Sequence, residues 1–198
     1  MLAQTFLHLV ERAAKDLDLE AIRTEVHAFS LKNPDLPTRS RAKLMIERSA
    51  RRAAAVGALA SLPPAWAALA AAAPELTAII VLQSRLIVGL HVLYGGTPEP
   101  EERALEVLAG LASGAGINVG RRLTTRAIEG IAARLVVRIA GRGATHVVPV
   151  LGAVAGAALN YAAVRAVGRA ALARVERLYG PPEVPGTGPV LEATGDVA

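Results

Sequence analysis

The sequence predicts an all-α protein: a single-domain bundle of about six to eight helices with an apolar central hairpin. Hydrophobic residues make up 53% of the chain but aromatic residues only 3%, so the excess is aliphatic and mostly alanine. Alanine is the best intrinsic helix former, whereas residues that favour strands are scarce here. Apolar residues also recur at helical spacing between proline- and glycine-rich breaks. With 198 residues, the chain is long enough to form one domain with a hydrophobic core, and it is too short for two domains to be expected.

Three helices are predicted in the N-terminal third. Apolar residues from Leu2 to Leu17 share one face of the first helix, and Asp18 is suited to cap the second. Asn33 and two neighbouring prolines predict a loop at about residues 31 to 37. The third helix, over residues 38 to 61, is basic at first and wholly apolar later.

The most apolar helix is predicted to begin at Pro74, separate from a short Ala-rich helix before it. Proline suits a first helical position, and Glu75 favours the positive end of the helix dipole. The helix should run to Gly95 and has almost no polar face, which is typical of the middle of a bundle or of a membrane. An acidic helix follows from Glu99, and a further helix is predicted over residues 117–140.

A run of 22 residues, 143–164, contains no Asp, Glu, Lys or Arg. Its length approaches that of a bilayer-spanning helix, but it carries Pro149 and Asn160 and consists mainly of Ala, Gly and Val. Gly152 and Gly156 form a GxxxG step that continues to Asn160 one turn later, and Gly116 with Gly120 forms another. Such faces let helices approach closely in membranes and in soluble bundles alike. We interpret the run as a central packing helix, with membrane spanning as the alternative.

Two stretches, residues 74–108 and 146–172, carry a family pattern. The first reads PELTAIIVLQSRLIVGLHVLYGGTPEPEERALEVL and the second HVVPVLGAVAGAALNYAAVRAVGRAAL. Their order and spacing resemble the EcsC family over about 60 of the 198 residues. The chain departs from the family pattern at Glu75, where Asp is expected, and at Ala163, where a larger side chain is expected.

The resemblance implies a bacterial helical protein near membranes, with no established reaction. The family is named for a protein encoded beside an ABC transporter, and a related domain of unknown function occurs in membrane-associated proteins. On this basis residues 1–180 are expected to form an EcsC-like helical domain. Residues 181–198 are rich in Pro and Gly and are expected to be a flexible tail.

The candidate ligand or packing site consists of polar and small residues on the two apolar helices. Its members are Asn160, Tyr161, Gly152, Gly156, Gln83, Arg85 and His91. An unpaired buried amide costs about 1 to 3 kcal/mol, so Asn160 must find a partner, either a ligand or a neighbouring helix. Arg85 is expected to pair with Glu75 or another acid as a buried ion pair. A structural role is the favoured interpretation for these residues.

A basic surface is predicted on the helix over residues 117–140 and its C-terminal end. Its candidate contacts with an anionic surface are Arg122, Arg126, Arg134, Arg138 and Arg142. Residues 1–180 carry all 22 basic but only 14 of the 17 acidic side chains. Anionic lipid is the favoured partner, at about 1 kcal/mol per cation near the surface, and a solvated helix face is the alternative. Nucleic acid is disfavoured because no aromatic residues are interleaved with the arginines.

No catalytic constellation is evident. The chain has no cysteine, its four histidines have no metal-binding spacing, and it has no GxSxG sequence. We therefore predict a non-enzymatic protein without metal or cofactor. It is expected to be cytoplasmic and peripheral at the inner face of the cell membrane, bound to anionic lipid or to a membrane protein. The alternatives are a soluble carrier of a fatty acid or other apolar ligand and, ranked last, a lipid-modifying enzyme. The sequence also allows a homo-oligomer.

Overall fold

The computed structural model describes residues 2–60, 65–114, 130 and 149–180. Within these ranges it contains the helices α1 (Leu2–Lys15), α2 (Leu19–Leu31), α3 (Thr38–Ala60), α4 (Ala65–Leu93), α5 (Pro100–Gly114) and α6 (Pro149–Tyr179). The same ranges contain no strand, which confirms the all-α class. The predicted helix over residues 117–140 and the tail of residues 181–198 lie outside the described residues, apart from residue 130.

The connection between α1, α2 and α3 follows the sequence prediction. Asp18 caps α2, because its carboxylate accepts a hydrogen bond of 2.9 Å from the backbone N–H of Ala21. After α2 ends, the side-chain amide of Asn33 donates to the carbonyl of Phe29 at 2.8 Å. Arg41 of α3 then donates to the backbone carbonyls of Asn33 and Pro34 at 3.0 and 2.9 Å. The predicted loop at residues 31 to 37 is therefore confirmed and is fixed by side-chain hydrogen bonds to its backbone.

Pro74 lies inside α4, so the prediction that a new helix begins at Pro74 is wrong. The Ala-rich segment 65–73 and the apolar segment after it form one helix of 29 residues. Proline removes one backbone hydrogen bond, whereas the alanines before it favour the helical conformation at almost every position. The predicted end of this helix is confirmed, since Gly95 has a left-handed φ of 80° just after Leu93. Gly180 ends α6 in the same way, with φ of 79°.

The second half of α4 supplies most of the large, fully buried side chains of the described bundle. Side chains on nearly all sides of its second half are buried: Ile79, Ile80, Gln83, Ser84, Leu86, Ile87, Val88, Leu90 and His91. The core around them is completed by apolar side chains of α1, α3, α5 and α6. The prediction of a helix without a polar face in the middle of a bundle is therefore confirmed. Among the helices that the structure describes, none combines the length and the hydropathy needed to cross a bilayer.

The described part of the charge-free run, residues 149–164, belongs to α6, which contacts α3, α4 and α5, but this part leaves some of its own apolar side chains exposed. Val154 is 63% exposed and Leu159 is 40% exposed, although Asn160 and Val164 on the other side of α6 are buried. Alanine has a small side chain and glycine has none, so this part of α6 buries little apolar area. Its backbone instead packs closely against one neighbouring helix. That neighbour is α3.

Candidate functional site

The residues predicted to form one site lie in separate places. Gln83 and His91 point into the core of the bundle, and each is less than 3% exposed. Arg85 instead lines an open groove beside α2. Asn160 and Tyr161 face α3. The structure thus divides the candidate set into a packing seam, a buried polar network and a groove.

The packing seam joins α3 to α6 at their glycines. A Cβ atom added to Gly57 would overlap the backbone carbonyl of Gly156 and lie 2.6 Å from Nδ2 of Asn160. Asn160 is 3% exposed. Gly156 therefore packs against Gly57 of α3, which is not among the predicted site residues. Gly152 lies on α6 one turn earlier, while Gly116 and Gly120 are outside the described residues.

Tyr161 extends the seam with a polar contact. Its hydroxyl lies 2.9 and 2.8 Å from the two carboxylate oxygens of Glu47 on α3. The hydrogen bond from Tyr161 is the main cause that lowers the pKa of Glu47, and Arg51 lowers it further. Asn160 thus lies beside Gly57 of α3, and Tyr161 bonds to Glu47 of the same helix.

A buried polar network surrounds His91. Nδ1 of His91 lies 3.1 Å from the hydroxyl of Tyr179, and its Nε2 lies 3.5 Å from a carboxylate oxygen of Glu106. Arg174 of α6 donates two hydrogen bonds of 2.5 and 2.6 Å to the same carboxylate. Burial alone would raise the pKa of Glu106, but the hydrogen bonds from Arg174 and His91 outweigh it and lower the pKa to about 2. Glu106, Arg174 and Tyr179 were not predicted as site residues.

The network has a counterpart one turn away. The hydroxyl of Tyr94, just after α4, lies 3.3 Å from Glu176 of α6, and Arg39 of α3 pairs with that carboxylate at 2.9 Å. Burial and the nearby Glu176 raise the pKa of Tyr94 to about 12. The sequence carries a signal for this pairing, because Leu-Tyr-Gly occurs at the C-terminal end of both α4 and α6. Each terminal tyrosine reaches a residue three positions before the other tyrosine.

The chemistry of this network favours a structural role. Carboxylate, imidazole and phenol lie in a row, as in a relay that activates a nucleophile. However, burial and the carboxylates of Glu106 and Glu102 raise the pKa of Tyr179, which disfavours the phenolate that would attack. In the part of the chain that the structure describes, no three His, Asp or Glu side chains come together as metal ligands.

An open groove lies between α2, α3 and α4 and has a volume of about 650 Å³. Most of its lining is apolar: Ile22, Val26, Ala28, Phe29, Met45, Val56, Ala78, Val81, Leu82, Leu86 and Gly89. A Cβ atom at Gly89 would lie 3.1 Å from Cε of Met45, so the absence of a side chain there lets Met45 pack closely against α4 at the floor of the groove. Ligand pockets in proteins typically have volumes of about 300 to 1,000 Å³ and apolar walls with a few charged groups. The groove has these properties.

The charged residues of the groove are mostly basic. Four cations line it, namely Lys32, Arg48, Arg52 and Arg85, against the single carboxylate of Glu25. The guanidinium of Arg48 lies over the ring of Phe29, 4.8 Å from its centre. Arg85 and Arg52 approach Glu25 at 3.0 and 3.5 Å. The groove therefore carries an excess of positive charge beside an apolar surface.

The position of Arg85 corrects the prediction of a buried ion pair. Its partner is Glu25 of α2, and the two side chains are 44% and 50% exposed. Arg85 points outward because residues 83 and 84 occupy the core-facing positions of α4 and residue 85 falls on the side toward α2. The sequence predicts the basic character of α3, but it gives no signal that Glu25 and α2 form the facing wall of the groove.

A second pocket, of about 420 Å³, lies between α3 and α6. Its cations are Arg39, Lys43, Arg165 and Arg169. Two carboxylates, Glu47 and Glu176, share this pocket and already have partners. With fewer apolar residues and more acidic ones, it fits an amphiphile less well than the first groove.

No protein-family model, curated protein or solved structure matches the chain. The resemblance to the EcsC family therefore stays a prediction from the two sequence stretches. The arginines predicted as anionic-surface contacts, Arg122, Arg126, Arg134, Arg138 and Arg142, lie outside the described residues.

Proposed function

We propose that this chain is a non-enzymatic helical protein that associates peripherally with anionic membrane lipid through the groove between α2, α3 and α4. One observation carries the proposal: an apolar groove of about 650 Å³ is bordered by four cations and one carboxylate. An acidic lipid has the matching chemistry, because its acyl chain is stabilised by burial against apolar surface and its acidic headgroup binds cations.

The arrangement of the arginines supports contact with a surface. Arg48, Arg52 and Arg85 are exposed, and arginine can lay its apolar stem along a groove while its guanidinium reaches a headgroup. A cation near an anionic surface contributes about 1 kcal/mol, so three or four such groups suffice for reversible binding. The described helices thus offer a basic surface of their own.

The setting that we propose follows the family resemblance. The protein is bacterial and cytoplasmic, belongs to the EcsC family and works at the inner face of the cell membrane. A membrane protein complex such as an ABC transporter is a second partner compatible with this location. These parts of the proposal rest on the two sequence stretches.

Liposome flotation tests the proposal. We expect the wild type to float with vesicles that contain phosphatidylglycerol. With vesicles of phosphatidylcholine alone, it should remain at the bottom of the gradient. The double variant Arg52→Gln/Arg85→Gln should lose most of this binding. The matched control Arg12→Gln/Arg23→Gln removes the same charge from exposed pairs on α1 and α2 outside the groove, and should still float. Failure of the wild type to float with either vesicle would contradict the proposal.

A soluble carrier of a fatty acid is the second candidate, favoured by the volume and apolar lining of the same groove. Native mass spectrometry of the purified protein separates the two functions. A carrier would retain one acyl chain per protein in the absence of vesicles, whereas a peripheral membrane protein would be recovered empty and still float.

A further inference from the structure

Glu25 lies between two arginines of the groove. Its carboxylate oxygens are 3.0 Å from Nη2 of Arg85 and 3.5 Å from Nη1 of Arg52. We propose that these two arginines form the subsite for the acidic group of the ligand, and that Glu25 occupies this subsite as a built-in competitor until the ligand displaces it. This inference rests on the groove being the lipid site of the proposed function.

The chemistry of Glu25 supports this assignment. A glutamate carboxylate has the same charge and the same planar pair of oxygens as a fatty-acid carboxylate, and arginine binds carboxylates and phosphates through the same fork of N–H groups. The bridge between α2 and its two partners on α3 and α4 therefore marks where a ligand acid can be held. Arg52 and Arg85 belong to different helices, so the subsite exists only where α3 and α4 meet α2.

Displacement of Glu25 is physically inexpensive. Glu25 is 50% exposed, and an exposed ion pair contributes only about 0.2 to 1 kcal/mol, so its carboxylate can return to water. A ligand acid that replaces it brings an acyl chain, and that chain gains apolar burial that Glu25 does not supply. Val26 and Phe29 follow Glu25 on α2 and line the same groove.

The charge balance defines the ligand class. With Glu25 displaced, four cations face the bound molecule, so an acyl chain that carries an acidic group is favoured over an uncharged one. A zwitterionic headgroup would place its own cation beside Arg48 and Lys32 and is disfavoured. Both a free fatty acid and the phosphate of an acidic lipid meet this description.

Isothermal titration with soluble amphiphiles below their micelle concentration tests the inference. The probes are dodecanoate, dodecyl phosphate and dodecylphosphocholine, which present a carboxylate, a phosphate and a zwitterion. We expect Glu25→Gln to bind the two anionic probes about three- to tenfold more tightly than the wild type. The affinity for dodecylphosphocholine should be the same in Glu25→Gln and in the wild type. The ratio of the two anionic affinities then distinguishes a fatty acid from a lipid headgroup as the ligand.

Two controls separate local competition from a general change of charge. Glu20→Gln removes the same charge from the same helix, outside the groove, and should leave the affinities unchanged. Adding Arg52→Gln and Arg85→Gln to Glu25→Gln should abolish the gain. Equal gains in Glu20→Gln and Glu25→Gln, or no gain in Glu25→Gln, would overturn the inference.

The outcomes also distinguish this inference from the proposed function. If the wild type floats with anionic vesicles and Glu25→Gln changes no affinity, lipid association stands and the role of Glu25 is wrong. If only Glu25→Gln binds the anionic probes, the competitor role is supported. If neither protein binds an anionic probe or vesicle, both proposals fall.

Discussion

Tyr179 at the end of α6 is hydrogen-bonded to His91 near the end of α4, with 3.1 Å between the tyrosine hydroxyl and Nδ1 of the imidazole. In return, Tyr94 at the end of α4 reaches Glu176 of α6 at 3.3 Å. The two aromatic rings of His91 and Tyr179 also meet edge to face, with centroids 5.7 Å apart. The C-terminal ends of the two apolar helices are therefore joined by a reciprocal pair of tyrosine contacts.

Loss of either tyrosine hydroxyl should weaken the bundle. We expect Tyr179→Phe and Tyr94→Phe each to lower the free energy of unfolding by about 0.5 to 1.5 kcal/mol, the usual net value of a hydrogen bond. Urea unfolding followed by far-UV circular dichroism measures both. Tyr179→Phe keeps the edge-to-face contact, so the hydroxyl alone is tested. Unchanged midpoints in both variants would show that the contacts do not stabilise the helix ends.

The bond between Glu106 and Arg174 should make stability depend on pH. The pKa of Glu106 is lowered to about 2 from 4.5, so its contribution is present above pH 4.5 and is lost as the pH falls toward 2. We expect Glu106→Gln to lower the unfolding free energy by about 1 to 3 kcal/mol at neutral pH and much less near pH 2.

The control for this prediction is Asp35→Asn, which removes an exposed carboxylate in the loop between α2 and α3. Its unfolding midpoint should follow that of the wild type at every pH. A constant difference between Glu106→Gln and the wild type from pH 7 to pH 2 would contradict the assigned role of the carboxylate.

The seam between α3 and α6 should tolerate no side chain at Gly57. A Cβ atom there would overlap the backbone of Gly156, which cannot rotate away, so we expect Gly57→Ala to cost about 1 to 3 kcal/mol. Gly110→Ala is the matched control, because the one atom within 3 Å of its Cβ would be Cδ1 at the end of the Ile87 side chain, 2.7 Å away, and not backbone. The midpoint temperature of thermal unfolding should be clearly lower for Gly57→Ala than for Gly110→Ala. The reverse order would show that the two helices can separate freely.

Filling the groove should block the ligand without unfolding the protein. Ala78 is exposed and lines the groove on α4, so Ala78→Phe adds a ring to the open volume rather than to the core. We expect weaker binding of dodecanoate in a titration and an unchanged unfolding midpoint. Ala158→Phe, at an exposed position of α6 outside the groove, should bind as the wild type does. Equal binding by Ala78→Phe would place the ligand elsewhere.

Local sequence rules predicted the helix ends well, and long-range pairings poorly. The cap at Asp18, the loop before Thr38 and the glycine stop at Gly95 depend on neighbouring residues and were predicted correctly. The helix start predicted at Pro74 is wrong because the run of alanines before this proline keeps α4 continuous through it.

The candidate site was harder to predict because its partners are distant in the sequence. Glu25 pairs with Arg85 across 60 positions, and Arg174 pairs with Glu106 across 68. Which charged side chains meet depends on the rotation and order of the helices, and hydrophobic periodicity fixes only which face is buried. The sequence therefore predicted that Arg85 pairs with Glu75 or another acid and included His91 among the site candidates, but it identified neither Glu25 nor Tyr179 as their partners.

The most direct test of lipid binding in the groove is the position of the acyl chain. The chain has no cysteine, so Ala28→Cys introduces a unique label site in the groove and Ala158→Cys a control site on α6. With an environment-sensitive fluorophore and anionic vesicles of bromine-labelled lipid, we predict strong quenching at residue 28 and little at residue 158. Equal quenching at both positions, or quenching at residue 158 alone, would contradict the assignment of the groove as the lipid site.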